Sequence, residues 1–354
     1  MQSLRELAPD CEFHGRGGPR MKAIAGGDFV NWIEAAAIVG LWEVVKHIGY
    51  FRKEFANALE EIATIKPDAV VLIDYPGFNL RLARTVRSRA PHSKIIYYIS
   101  PQVWAWNRGR IVHMARYLDV MLCIFPFEAE LYNASGLHTI FVGHPMIENL
   151  AKRRTGQARD PNLVGLFPGS RSREVKKILP VLLDAAAEIV TRRLATHFEI
   201  AAASEALAAE IETRLRAFPH RDRVRLVTGD SSGTMQRASA GIVASGTATL
   251  ESAFFRMPFV LVYKVSWPTY LAGRLMIRTR FIGMPNVLAD REIVPEFLQH
   301  EARPHPIAEA VLPLMDDLRR REKMIADFDG IIASLGETGA SEKAARAILS
   351  ELNQ

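Results

Sequence analysis

Short apolar runs recur along this chain, and most are separated by stretches with the three-to-four-residue periodicity of helices. The runs are Ala69 to Ile73, Ile95 to Ile99, Val120 to Ile124 and Thr139 to Val142, then Leu163 to Phe167, Phe198 to Ala203, Val224 to Val227, Gly241 to Ala244 and Phe259 to Tyr263. Most are continuous rather than alternating, Glu199 and Arg225 being the charged interruptions, which is the pattern of strands buried on both faces. Strands of that kind, alternating with helices, form parallel sheets covered by helices, with ligands at the carboxyl ends of the strands. The expected fold class is α/β, with two Rossmann-like domains facing each other across a central cleft.

The break between the halves is expected in the basic, polar stretch Lys152 to Asp160, which precedes Pro161-Asn162 and has the composition of a linker. This divides the chain into residues 1–155, 156–330 and a helical tail, 331–354. With 49% hydrophobic and 24% charged residues the chain has material for a sizeable core and is not disordered. No apolar run is long enough to span a bilayer and the start lacks a signal-peptide core, so the expected location is inside the cell. Cys11 and Cys123 supply neither a disulfide framework nor a zinc spacing, and Cys123 reads as a core residue. The net charge of +6 fits nucleic acid, anionic lipid or phosphorylated substrates. The cations are scattered with no nucleic-acid-binding motif, so no nucleic acid partner is expected.

Two strand exits in the second half have the chemistry of phosphate sites. Ser245-Gly246-Thr247 follows an apolar strand and opens a helix expected over Thr249 to Arg256; Pro168-Gly169-Ser170-Arg171 follows Leu163 to Phe167. A helix N-terminus offers free N–H groups and a positive dipole end, and glycine permits close approach. Arg171 adds a planar fork for phosphate, and Glu251, one turn into its helix, is placed for a ribose diol. Asn286 and Arg291 are candidates for the same site, or else a turn residue and a surface cation. In the first half Asp74 leaves a strand before a proline, as a buried general base with raised pKa or as a helix cap. His144 competes for the base role. The only Asp-x-Asp, Asp327-Phe-Asp329, lies in a charged helical segment and reads as a solvated face, so neither metal nor cofactor is expected.

Other expectations are structural. Met1 to Ala8 reads as a helix, Cys11 to His14 as a strand, and Gly15 to Met21, with Gly17 and Gly18, as a turn or a ligand-approaching loop. Pro180 is expected in the first turn of a helix ending near Leu194. The apolar stretch Trp32 to Phe51 is either a membrane-facing surface or a buried helical hairpin.

Taken together, Ser100-Pro-Gln-Val-Trp104-Ala-Trp106 with Arg108 and Arg110, Asp74 with Phe78-Asn79, Gly143-His144, Pro168-Gly-Ser-Arg171 with Glu174, Ser245-Gly-Thr-Ala-Thr-Leu-Glu251, and Pro285-Asn286 with Arg291-Glu292 resemble the lipid-A-disaccharide synthases. The resemblance runs from the first residues to about Gln299. It implies the GT-B glycosyltransferase architecture, with residues 1–155 facing acceptor and membrane and 156–330 binding UDP-sugar. The implied reaction joins UDP-2,3-diacylglucosamine to 2,3-diacylglucosamine 1-phosphate (lipid X), releasing UDP, at the cytoplasmic face of the inner membrane.

By that resemblance Gly169, Ser170, Arg171, Ser245, Gly246, Thr247, Glu251, Asn286 and Arg291 hold the nucleotide. Gly17, Gly18, Trp104, Trp106 and Arg108 meet acceptor and lipid, with Asp74 or His144 as base. The stretch Trp267 to Arg280 joins Trp32 to Phe51 as a surface for acyl chains and anionic head groups, and a homodimer stays open. Two departures stand out. The family's opening strand and its Gly-Glu-x-Ser-Gly-Asp-like loop are not found, so the chain reads as truncated at its N-terminus. The family's Pro-Asp-Phe-Asn is Pro76-Gly77-Phe78-Asn79, leaving Asp74 as that motif's acid. The truncation keeps open a non-catalytic nucleotide-sugar or lipid-binding protein.

Overall fold

The computed structural model describes residues 1–27, 29–32, 48–106, 109–267, 270–271, 273 and 279–353, without the side chains of Ile48 and Trp106. The chain divides into two compact units, Met1–Pro145 with Leu335–Gln354, and Met146–Ser334. The break thus falls before the expected linker, and the tail joins the N-terminal unit instead of standing alone.

The first unit holds a two-stranded ribbon, β1 (Arg16–Gly17) and β2 (Val30–Asn31), and a parallel sheet. The sheet runs β3 (Ala69–Ile73), β4 (Lys94–Tyr98), β5 (Val120–Cys123), β6 (Thr139–Phe141), in chain order. Successive strand residues point to opposite faces, so β4 sends Ile95 and Tyr97 to one side and Ile96 to the other. Ile95 and Tyr97 join Val70, Leu72 and Met121 against Leu82, Ala83 and Val86 of the Pro76–Arg89 helix. Ile96, Val120 and Leu122 are covered by Leu4 from the chain's start and Ala344, Ala345 and Ile348 from its end. Both termini are therefore core elements of this unit. Cys11 to His14, expected as a strand, has no strand structure; pairing begins at Arg16. Arg16 is held by the carboxylates of Glu54 (2.8 Å) and Glu61 (2.5 Å) on the Ile48–Ile65 helix.

The second unit is a six-stranded parallel sheet: β7 (Asp160–Phe167), β8 (His197–Ala202), β9 (Val224–Thr228), β10 (Ala238–Ala244), β11 (Phe259–Tyr263) and β12 (Glu296–Leu298). Its spatial order is β12-β11-β10-β7-β8-β9. Read from the other edge this is third, second, first, fourth, fifth, sixth, the doubly wound order that reverses direction between β7 and β10. Every residue of β10 is buried, as a strand covered on both faces must be. The edge strand β12 escapes sequence reading because three half-buried residues carry too little pattern.

Two local differences have clear causes. The helix after β7 spans Ser172–Arg192, so Pro180 lies inside it; the turn at Gly169 starts the helix earlier than the proline signal implied. The basic stretch read as a linker belongs to the second unit. Arg159 donates to the carbonyls of Met235 (2.7 Å), Gln236 (3.2 Å) and Ala238 (2.5 Å) and also to that of Phe255, and Arg154 donates to Phe254 (3.2 Å). These carbonyls lie at the ends of two helices, where unpaired acceptors and the negative dipole end attract cations. Burial lowers the Arg159 pKa to about 10, which leaves it charged at neutral pH.

Candidate functional site

The reversal of strand order puts the exits of β7 and β10 side by side, since Phe167 pairs with Val243. Both expected phosphate turns leave from these two strands. In a doubly wound sheet this is where the crevice opens for a ligand.

At the β7 exit Gly169 adopts φ +113°, and a Cβ there would stand 2.6 Å from a carboxylate oxygen of Glu174. Glu174 folds back over the turn, accepting from the Ser170 amide at 3.1 Å and from Arg171 Nη1 at 2.8 Å. Arg171 is the N-cap of the Ser172–Arg192 helix, and its side chain is 61% exposed. At the β10 exit the Ser245 amide still bonds to Val262 (3.2 Å), extending the ladder by one residue. Gly246 then adopts φ +146° with open space where a Cβ would lie. It is the N-cap of the Thr247–Phe254 helix, whose first turn presents amides without intrahelical partners. The Thr249 amide and hydroxyl both bond back to the Gly246 carbonyl, at 3.1 and 2.7 Å. Glu251 is half-buried, and burial raises its pKa against the opposing effects of Arg153 and a hydrogen bond with Thr247. Gly169, Ser170, Arg171, Ser245, Gly246, Thr247 and Glu251 therefore share one end of one sheet.

Asn286 lies on the Met284–Ala289 helix between β11 and β12, and Arg291 just after it. Asn286 is fully buried, and its amide is engaged locally: Nδ2 donates to Val294 O (2.7 Å) and Glu296 Oε1 (2.9 Å), and Oδ1 accepts from the amides of Ile293 and Val294. It clamps the loop after its own short helix. Arg291 makes a bidentate pair with Asp327, while Asp329 pairs with Arg256. The Asp-x-Asp read as a solvated face is thus a pair of ion-pair partners on the Leu318–Ser334 helix.

In the first unit Asp74 follows β3 and is exposed, so the burial expected of it is absent. It also does not cap the following helix, whose N-cap is Tyr75 with no side-chain capping bond. Asp74 and Tyr75 both have left-handed backbones, φ +47° and +48°. The Asp74 carbonyl accepts from the Tyr97 hydroxyl (2.6 Å) and from Asn79 Nδ2 (2.7 Å). His144, after β6, is half-buried beside the Phe125 ring at 5.4 Å, and burial lowers its pKa to about 4. Among the described residues, β3 and β6 are the two edges of this sheet. At about 4.8 Å per strand their exits lie roughly 14 Å apart, so Asp74 and His144 do not share one proton.

Trp104 is buried; its indole N–H donates to Glu128 Oε1 at 2.9 Å and its ring meets Phe127 edge-on at 5.0 Å. It anchors the Ser100-to-Trp106 segment from inside. The Trp106 side chain and Arg108 lie outside the described residues. Gly17 and Gly18 are buried, a Cβ on Gly17 would come within 2.4 Å of the Met21 sulfur, and Gly18 is the N-cap of the Pro19–Ala25 helix. Of the stretch Trp32 to Phe51, residues 33–47 lie outside the described residues. Trp32 packs against Tyr75 and Phe78, and Phe51 against Tyr75. Within Trp267 to Arg280, residues 268–269, 272 and 274–278 lie outside the described residues, while Trp267 and Leu271 are exposed.

Sequence reading assigned no role to Glu128 or Tyr97. Glu128 is fully buried and holds both Trp104 and the Phe125 amide (3.3 Å). Its signal was available: a glutamate two residues after a strand-ending proline is the third position of a helix, the reciprocal half of a capping box. Tyr97 left no such signal, since a tyrosine in an apolar run reads as core.

Comparison with known proteins bears on the whole chain. The profile of the LpxB family, lipid-A-disaccharide synthetase, matches residues 1–349. The lipid-A-disaccharide synthase of Koribacter versatilis is 38% identical, over 99% of this chain and 93% of its own length. That of Geobacter sulfurreducens is 37% identical, over 100% and 92%. Among solved structures, a putative UDP-N-acetylglucosamine 2-epimerase from Listeria monocytogenes superposes with a TM-score of 0.58 at 13% identity, covering 96% of this chain and 95% of that one. The Staphylococcus aureus MnaA–UDP co-structure gives 0.56 at 12% identity, over 86% and 79%. These structures share the fold, two Rossmann-like units of GT-B type.

Proposed function

The chain belongs to the lipid-A-disaccharide synthetase family and is a glycosyltransferase of lipid A biosynthesis, and from that premise we propose that it joins UDP-2,3-diacylglucosamine to 2,3-diacylglucosamine 1-phosphate with inversion at the anomeric carbon. The observation that carries this reading is the pair of glycine turns on β7 and β10, at the point where strand order reverses. The diphosphate of UDP lies against the first-turn amides behind Gly246, where the missing Cβ leaves room. Arg171, from the adjacent turn, exchanges its contact with Glu174 for a phosphate oxygen, and Glu251 receives the ribose hydroxyls.

In the transfer the acceptor's 6-hydroxyl loses its proton to a carboxylate and its oxygen attacks the anomeric carbon. The bond from that carbon to the phosphate oxygen breaks, and UDP leaves with the electron pair. Arg171 and the helix N-terminus stabilise the charge that develops on the leaving group. We assign the base to Asp74, which ends β3 with an exposed carboxylate. His144 is instead half-buried against the Phe125 ring, away from the exposed end of β3.

UDP binding tests the nucleotide placement. Arg171→Ala removes a charge-assisted contact and should weaken UDP by roughly 1.5 to 3 kcal/mol, about ten- to a hundredfold in Kd; titration calorimetry giving an unchanged Kd would refute it. Release of UDP only when both lipid substrates are present tests the reaction itself. UDP binding with no release under those conditions would make the protein a non-catalytic binder.

A further inference from the structure

We infer that Tyr97 and Asn79 are positioning residues for Asp74: they hold its backbone carbonyl in a left-handed turn and so fix the direction in which its carboxylate leaves the end of β3. The inference rests on the reading of Asp74 as the base.

Two consecutive non-glycine residues, Asp74 and Tyr75, have φ near +47°. In that region the Cβ of an L-residue crowds its own carbonyl oxygen, and such a backbone persists only where its surroundings over-determine it. The surroundings here are specific. The Asp74 amide donates to Tyr98 O at 2.9 Å, the last link between β3 and β4. The Asp74 carbonyl then accepts two hydrogen bonds, from the wholly buried Tyr97 (2.6 Å) and from Asn79 (2.7 Å), and Asn79 also reaches Ile73 O at 3.1 Å. Pro76 follows with a restricted φ, and the Tyr75 ring lies against Phe78, Phe51 and Trp32 at 6.1 to 6.4 Å between centroids.

An aspartate that served only to start the helix would sit at the N-cap with an extended backbone and bond a first-turn amide. Asp74 does neither, since the N-cap is Tyr75. The strained turn instead presents an exposed carboxylate on a backbone that two side chains hold still. Orientation of a reacting group to within fractions of an ångström is what such support supplies.

The test is a double-mutant cycle on UDP release with both lipid substrates. Tyr97→Phe keeps the buried ring and removes one hydrogen bond. It should lower kcat by about tenfold, leave the KM for the UDP-sugar unchanged, and lower kcat by less than about twofold when Asp74 is already Asn. Asn79→Ala should repeat this pattern and carries the test if Tyr97→Phe does not fold. A loss of the same size in both backgrounds, or no loss at all, overturns the inference while leaving Asp74 as base. Asp74→Asn turning over at the parent rate overturns the base reading instead, and the positioning role with it.

Discussion

Glu128 shows how a single buried group can organise a motif and make it sensitive to pH. Its carboxyl group is fully buried and receives the Trp104 indole and the Phe125 amide. Burial pushes its pKa from 4.5 up to about 7, although both hydrogen bonds favour the ionised form. Folding therefore favours the protonated acid. Its contribution to stability is complete below about pH 4.5 and is lost as pH rises through about 7, when a charge must be held in the core. The difference amounts to about 3 kcal/mol. Urea unfolding measured between pH 4.5 and 8 should show this fall, and Glu128→Gln, which keeps an acceptor for Trp104, should flatten it. A variant with the parent's full pH slope would show that another group titrates.

At the scale of elements, the last helix decides whether the N-terminal sheet has a second layer. Ala340–Leu352 buries Ala344, Ala345 and Ile348 on Ile96, Val120 and Leu122. A parallel sheet exposed on one face would leave those strand residues in water. Ile348→Asp places a charge in that layer and should destabilise the N-terminal unit by about 3 to 5 kcal/mol. Limited proteolysis should then cut first within residues 69–141, and a cleavage pattern and melting temperature equal to the parent's would deny the helix this role. Arg159 works the same way in the other unit, where one guanidinium binds carbonyls at the ends of two helices.

At the scale of the whole molecule the question is how a chain with lipid substrates meets them. Among the described residues no helix is long and apolar enough to cross a membrane. Trp267 and Leu271 are 65% and 62% exposed, and the chain carries a net charge of +6. Exposed aromatic and aliphatic side chains on a cationic protein favour adsorption to an anionic surface, through apolar burial and screened attraction. We expect co-sedimentation with vesicles containing phosphatidylglycerol, reversal by high salt or detergent, and clear weakening by Trp267→Ser with Leu271→Ser. Sedimentation indifferent to both substitutions would move the contact elsewhere or deny it.

The α/β class and most strands were legible because apolar runs and helical periodicity are local properties of the chain, as at β3 and β11, whose ends match the runs read from sequence. The glycine turns of β7 and β10 were legible for the same reason, since strand, glycine and helix start lie within a few residues of one another. Tertiary structure alone decided which polar groups remain available. Asn286 read as a ligand contact or a turn residue and Trp104 as an acceptor contact, and only the fold shows their hydrogen-bonding groups engaged by Val294, Glu296 and Glu128. Asp74 read as buried, yet it is exposed on a turn held by Tyr97, a partner more than twenty residues away. Contacts of that range depend on strand order and helix docking, which apolar periodicity does not encode. The fate of the last helix is of the same kind: the sequence reads as a helical tail, but only the fold assigns its buried face to β4 and β5, far away along the chain.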